Sequence, residues 1–249
     1  MDRAIVNLNE IETFIFIHDQ DILLRLYNKK SFNDLKWVFL GDKNTDRLKN
    51  IPNIIIAKEL DFNIEQHPKL TSFTGWYALC KNNLIKSDYV NLFEYDIMFN
   101  DDFYSLKIDK NKSDFVGYFP MSISDPVFVD MEIYSKLLLD SILSKTSVDI
   151  KSIIKSLPKN NLWSSSSNST WNADTLKMYV NWFEQFLDDI KDDKYSGHMF
   201  ERSISFYHII NNIKVLLTNN LMLHLQINSH GTSPLSNLRS ERMLKKLIS

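Results

Sequence analysis

The sequence predicts an α/β fold: a mainly parallel sheet flanked by helices, with additional helices toward the C-terminus. Four short apolar runs, rich in β-branched and aromatic residues, read as buried strands: Thr13–His18, Lys36–Leu40, Asn53–Ala57 and Tyr89–Phe93. Segments of helical apolar spacing lie between them, at Asp21–Phe32 and Ser72–Lys86. Strands separated by helices join as parallel neighbours with helices on the sheet faces. Hydrophobic residues make up 44% and aromatics 12% of the 249 residues, which is enough to bury a sizeable core and argues against general disorder.

Each element has its own signal. Thr13–His18 (TFIFIH) is an unbroken apolar run, as a strand covered on both faces requires. The helical segment after it carries Ile22, Leu23, Leu26 and Tyr27 on one face. Lys36–Leu40 stops at Gly41-Asp42, a common strand terminator. Ser72–Lys86 places Phe73, Trp76, Tyr77, Leu79, Cys80 and Leu84 on one broad face, with a capping hydroxyl available at Thr71, Ser72 or Thr74. Beyond residue 100, Asp114–Phe119 reads as a further strand. Glu132–Leu157 reads as helical, broken near Ser147 and stopped by Pro158. Trp163–Trp171 is Ser-rich and reads as a flexible connector; the functional alternative is a mobile lid in which Trp163 or Trp171 closes on a sugar or base. Ala173–Ile190 and Gly197–Asn212 read as helices, Lys214–Leu217 and Leu221–Ile227 as extended segments, and Ser236–Ser249 as a basic amphipathic terminal helix. We expect one domain over residues 1–249, with its halves at 1–103 and 104–249.

Charge and cysteine content exclude several classes. There are 29 basic and 31 acidic residues and no Lys/Arg block, so neither a nucleic-acid backbone nor a membrane surface is an expected partner. Cys80 is the sole cysteine; no internal disulfide or thiolate metal cage can form, which fits a reducing, cytoplasmic setting. The first residues lack the features of a signal peptide, and no window holds the roughly 20 apolar residues of a transmembrane segment. With 5 glycines, the chain has no Walker-type loop, Gly-rich dinucleotide fingerprint or G-x-S-x-G elbow.

In a parallel sheet, ligands collect where strands end at their carboxyl edge, which directs attention to His18-Asp19, Gly41-Asp42 and Glu94-Tyr95-Asp96. The last is the most informative. If extended geometry persists, Glu94 and Asp96 share one side and Tyr95 takes the other. Two adjacent carboxylates call for a cation, and hard oxygen ligands suit Mg²⁺ or Mn²⁺ bridging to a diphosphate. Such an ion would stabilise a departing nucleoside diphosphate. The competing reading is a solvated strand end.

The helix FTGWYALCKNNLIKS followed by DYVNLFEYD resembles the GT-A family of nucleotide-sugar glycosyltransferases, whose hallmark is a DxD-type motif after a central strand. The resemblance covers roughly residues 13–103 and departs at its first acid, which is Glu94 rather than Asp. It implies a GT-A-like, Rossmann-type sheet and a metal-dependent glycosyltransferase moving a sugar from a nucleoside-diphosphate donor to a glycan or other hydroxyl acceptor. The metal would be Mn²⁺ (or Mg²⁺), held by Asp96 with Glu94 beside it; Tyr95 belongs to the same motif. The family pattern also places base and ribose contacts at His18, Asp19 and Asp42. A C-terminal His completes many such sites, and His230 in its polar loop suits that role better than His224, which lies in an apolar alternation. An acidic residue near a downstream helix start commonly serves as general base, which points to Glu201 in the first turn of the helix after GHM. Arg202 beside it is a candidate for a phosphate or carboxylate, and Lys81 for the diphosphate. For each of these residues a plain structural role stands as the alternative: turn chemistry, a first-turn Glu against the helix dipole, a surface Lys. His208 has no suggestive company, and a structural role is its default. Two other functions compete: a nucleotidyltransferase or metal-dependent phosphohydrolase, and a non-catalytic carbohydrate-binding scaffold.

Overall fold

The computed structural model describes residues 5–27, 35–41, 44–123, 131–164 and 166–225. Asp42, His230 and Ser236–Ser249 lie outside them. The chain runs through β1 (Ile5–Asn7), β2 (Glu12–Ile17), α1 (Gln20–Tyr27), β3 (Lys36–Phe39), β4 (Ile54–Ile56), α2 (Phe73–Lys81), β5 (Tyr89–Glu94), β6 (Ile97–Phe99), α3 (Asp101–Ser105), β7 (Lys107–Asp109) and β8 (Phe115–Gly117). It continues through β9 (Pro120–Ser122), α4 (Met131–Tyr134), α5 (Lys136–Thr146), α6 (Ile150–Ser156), β10 (Leu162–Ser164), β11 (Ser169–Asn172), α7 (Ala173–Glu184), α8 (Leu187–Ile190), α9 (Ser196–Asn211), β12 (Val215–Leu217) and β13 (Met222–His224).

Among the described residues, seven strands form the central sheet in the order β12-β8-β11-β5-β2-β3-β4. β2, β3, β4 and β5 pair in parallel, as do β8 and β12. β11 lies antiparallel to both β5 and β8, so β8 runs in the same direction as β5. The expected α/β class with a mainly parallel sheet is what the chain adopts. Strands from both sides of residue 103 belong to this one sheet.

Side-chain alternation sorts the strands onto two cores. Phe14, Phe16, Val38, Leu92, Phe115 and Trp171 face the larger cluster, covered by α2, α7 and α9 through Trp76, Tyr179, Phe183 and Phe200. Ile15, Ile17, Trp37, Phe39, Phe93 and Val116 face the other, covered by Leu23 and Leu26 of α1 and Phe103 of α3. Helix α2 approaches β2 closely because Gly75 has no side chain; a Cβ there would stand 2.6 Å from the Phe16 ring. It stops at Asn82, with Asn83 at φ 53°, so it is shorter than the expected Ser72–Lys86. The break near Ser147 is a left-handed residue, φ 59°, between α5 and α6.

The Ser-rich Trp163–Trp171 segment departs most from expectation. It is neither connector nor lid: β10 pairs with β9, and β11 lies inside the sheet, its Trp171 fully buried. Trp171 stacks on Tyr179 at 5.2 Å, meets Phe115 at 4.7 Å and donates from Nε1 to Ser169 Oγ at 2.9 Å. The polar residues of β11 are tolerated because partners await them. Tyr118 Oη lies 2.6 Å from Thr170 Oγ1, Thr170 donates to Asn91 Oδ1 at 2.6 Å, and Asn91 Nδ2 donates to Thr13 Oγ1 at 3.0 Å.

His208 of α9 is buried against Phe115, with ring centroids 4.2 Å apart, and burial pushes its imidazole down to about 3. The unfolded chain takes up that proton near the ordinary value of 6.5, whereas the folded chain resists it down to about 3. Stability from this group is therefore complete above 6.5 and declines as pH falls toward 3. Between pH 7 and pH 5 the loss is on the order of 2 kcal/mol, and His208→Phe should flatten it in denaturation curves taken at the two pH values. Trp171→Ala should cost about 3–5 kcal/mol in chemical denaturation; a residue in a flexible connector would cost within about 0.5 kcal/mol.

Candidate functional site

The carboxyl edge of the parallel strands gathers the ends of β2, β3 and β5. β5 closes on Glu94, and Tyr95-Asp96 form a turn into β6, so the extended geometry expected across the three residues does not persist. Tyr95 N–H still donates to Phe16 O at 3.1 Å, while Leu225 N–H donates to Asp96 O at 2.8 Å. The motif is thus pinned between β2 and the segment leaving β13.

Glu94 is a held carboxylate. Its Oε1 accepts from Ser72 Oγ at 2.9 Å and from Ser167 Oγ at 3.0 Å, and its backbone N–H donates to Asn168 Oδ1 at 2.7 Å. Ser72 stands at the head of α2 without capping it by its side chain, because its hydroxyl is turned to Glu94. Asp96 is buried. Tyr95 is buried as well, its ring edge-on to exposed His18 at 6.1 Å. Burial pushes the Tyr95 phenol well above its ordinary value of 10, and the charges of Asp96, Asp19 and Glu94 push it further. Carboxylates following two neighbouring strands, β2 and β5, thus act electrostatically on one phenol. Asp19 also caps α1, accepting from Ile22 N–H at 3.0 Å, so turn chemistry and a position at this edge coexist in one residue. At the end of β3, Gly41 adopts φ 97° and donates its N–H to the buried carboxylate of Glu65.

Three other candidates lie on α2 and α9. Lys81 sits at the far end of α2 from Ser72, about 13 Å along the axis by helical rise, in an ion pair with Glu184 at 2.6 Å. It is held away from the acidic edge. Arg202 is buried, with its guanidinium over Tyr134 at 5.1 Å and Trp163 at 5.9 Å and an N–H on His198 O at 3.1 Å. It braces a helix rather than meeting a phosphate at the surface. Glu201 falls in the second turn of α9, because the helix begins at Ser196; its carboxylate is 3.9 Å from His198 Nδ1. Gly197, one turn earlier on the same face, packs on Thr71, so that face of α9 borders the Ser72–Glu94 contact. His230 and Asp42 lie outside the described residues, as noted, and β13 pairs with β6 so that His224 is the backbone partner of Ile97.

Among the described residues no three His, Cys, Asp or Glu side chains are grouped to hold an ion by themselves. Hollows of about 340 and 560 Å³ open elsewhere, one beside Lys86, Asp88, Lys110 and Asn172 and one beside Ile54–Ile56 and Leu60. Neither is lined by Asp19, Glu94 or Asp96. Sequence reasoning missed Ser167, Asn168 and Glu65. The alternating Ser169-Thr170-Trp171, with its β-formers, was the available signal for the first two; Glu65 sits in a loop and carried none.

No protein-family model matches the chain, and no curated protein matches it. Among solved structures, WbbM, a bifunctional glycosyltransferase in its apo form, superposes with a TM-score of 0.60 over 87% of this chain, at 12% identity. The likeness is one of fold, and this chain spans 45% of the length of that one. No helix among the described residues is long and apolar enough to cross a membrane.

Glu94→Ala removes the acceptor for two hydroxyls and should cost about 1–3 kcal/mol in denaturation, whereas Glu94→Gln, which still accepts, should cost less than about 1 kcal/mol. Equal and negligible costs would mean that Glu94 is not held as described.

Proposed function

We propose that this chain is a glycosyltransferase that transfers a sugar from a nucleoside-diphosphate donor, bound at the carboxyl edge of β2, β3 and β5, to a hydroxyl acceptor. The observation that carries the reading is that the neighbouring parallel strands β2 and β5 run out side by side into Asp19 and into Glu94-Tyr95-Asp96, with Tyr95 N–H bonded to Phe16 O. The glycosyltransferase fold of WbbM supports it.

The donor set fits a divalent ion that draws most of its ligands from diphosphate and water, the pattern of Mg²⁺ and, with carboxylates, Mn²⁺. Asp96 is the residue that would hold it. Glu94, fixed by Ser72 and Ser167, would keep the local charge negative and the turn in place. When bound, such an ion acts as a Lewis acid on the leaving diphosphate. His18 and Asp19 would meet the base or ribose, and the turn fixed by Gly41 N–H on Glu65 would let backbone approach the ligand. In an inverting reaction Glu201 takes the proton of the acceptor hydroxyl as its oxygen bonds to the anomeric carbon and the bond to the diphosphate breaks.

Uridine, guanosine, adenosine, cytidine and thymidine diphosphates should be screened with Mn²⁺ by thermal unfolding. At least one should raise the Tm by several degrees at saturating ligand. Asp96→Asn should abolish the metal-dependent part of that shift and lower turnover about 100-fold or more, without changing the Tm of the free protein. No shift with any of the five overturns the proposal.

A further inference from the structure

The start of α9 carries a second cluster that the donor site does not use. Tyr134, Tyr195 and His198 meet as three rings: 5.1 Å between the tyrosines, 5.3 Å from Tyr134 to His198 and 6.1 Å from Tyr195 to His198. The two tyrosines are half-buried and His198 exposes 52% of its side chain, so ring surface is presented to solvent. Behind Tyr134 lies the buried Arg202 guanidinium, which holds the ring from within. Glu201 stands beside the cluster, 34% exposed and 3.9 Å from His198 Nδ1, and the Lys194 ammonium covers one face of the Tyr195 ring at 4.6 Å, which leaves the opposite face for a ligand.

This combination has a chemical preference. A pyranose presents an apolar C–H face and a girdle of hydroxyls; the face packs on an aromatic ring, and the hydroxyls donate to a carboxylate or imidazole beside it. Location narrows the role. Gly197, between Tyr195 and His198, lies against Thr71, since a Cβ there would be 3.0 Å from Thr71 Cγ2, and the neighbouring Ser72 donates to Glu94. The ring planes are mutually inclined, by 85° between the tyrosines, 58° from Tyr134 to His198 and 46° from Tyr195 to His198. We infer that Tyr134, Tyr195 and His198 form an angled aromatic platform against which a pyranose ring of the acceptor packs, its C–H face on the Tyr195 ring and the other rings beside it, with Glu201 receiving one of its hydroxyls. This rests on the glycosyltransferase reading and adds to it a saccharide as acceptor and the residues that bind it.

The test uses the full chain with lactose, maltotriose and methyl glucopyranoside as probes, in saturation-transfer NMR and in titrations of the tyrosine ring resonances. At least one probe should receive saturation on the C–H protons of one ring face and shift the Tyr195 resonance. Tyr195→Ala should weaken that binding tenfold or more, while Tyr195→Phe, which keeps the ring, stays within threefold. Both variants should keep the nucleoside-diphosphate Tm shift of the parent. If Tyr195→Ala does not fold, His198→Ala at its exposed position replaces it, with an expected loss of threefold or more. An intact nucleotide shift with no saccharide signal, or unchanged saccharide binding in Tyr195→Ala or its replacement, overturns the platform and leaves the donor site standing. Absence of both signals removes both readings.

Discussion

The register of β11 between β5 and β8 is the constraint on which the rest of this architecture depends. It is fixed by a polar row in which Tyr118, just after β8, bonds to Thr170 of β11, Thr170 to Asn91 of β5, and Asn91 to Thr13 of β2. A slip of one residue would turn Thr170 toward the apolar helices and Trp171 toward the other face. It would also withdraw Ser167 and Asn168 from Glu94. A polar row of this kind tolerates one alignment, because every other leaves donors and acceptors without partners in a low-dielectric interior. The geometry of the acidic edge is therefore inherited from the middle of the sheet.

Most of the first hundred residues were legible because their signals were local. TFIFIH, KWVFL, NIIIA and YVNLF are mainly apolar runs, and each matches a strand to within one residue at either end. Helix ends were less legible: Asn82-Asn83 stop α2 by a left-handed residue that an apolar pattern does not register. The failure at β11 has a different cause. Serine and asparagine favour turns because their side chains satisfy nearby backbone, and that preference holds only while no distant partner competes. Here Asn91 and Tyr118 supply partners for Thr170, and Glu94 does so for Ser167 and Asn168. The candidate site shows the same division. Asp19, Glu94 and Asp96 stand just after or at the ends of β2 and β5, a placement that local strand signals fix, whereas Lys81 and Arg202 were drawn from neighbourhood in sequence and are engaged by Glu184 and by aromatic rings.

Two kinds of charge serve this molecule. Glu94, Glu65 and Arg202 are partly or wholly withdrawn from solvent and are satisfied by hydroxyls, a backbone amide, a carbonyl and aromatic faces, so they fix shape. Glu201 of α9 and His18 after β2 keep access to solvent. Precision in the second kind depends on the rigidity conferred by the first.

Insertion of β11 has a bearing on how the chain reaches its native state. The Thr170–Asn91 bond joins positions 79 apart, and β12 adds the outermost strand only at Val215–Leu217. During synthesis β5 and β8 emerge early yet stay unpaired with each other until the strand that separates them has been made. Loop-closure entropy must be met before those pairings return any stabilisation, so assembly is slow by its topology, and exposed strand edges persist while it waits.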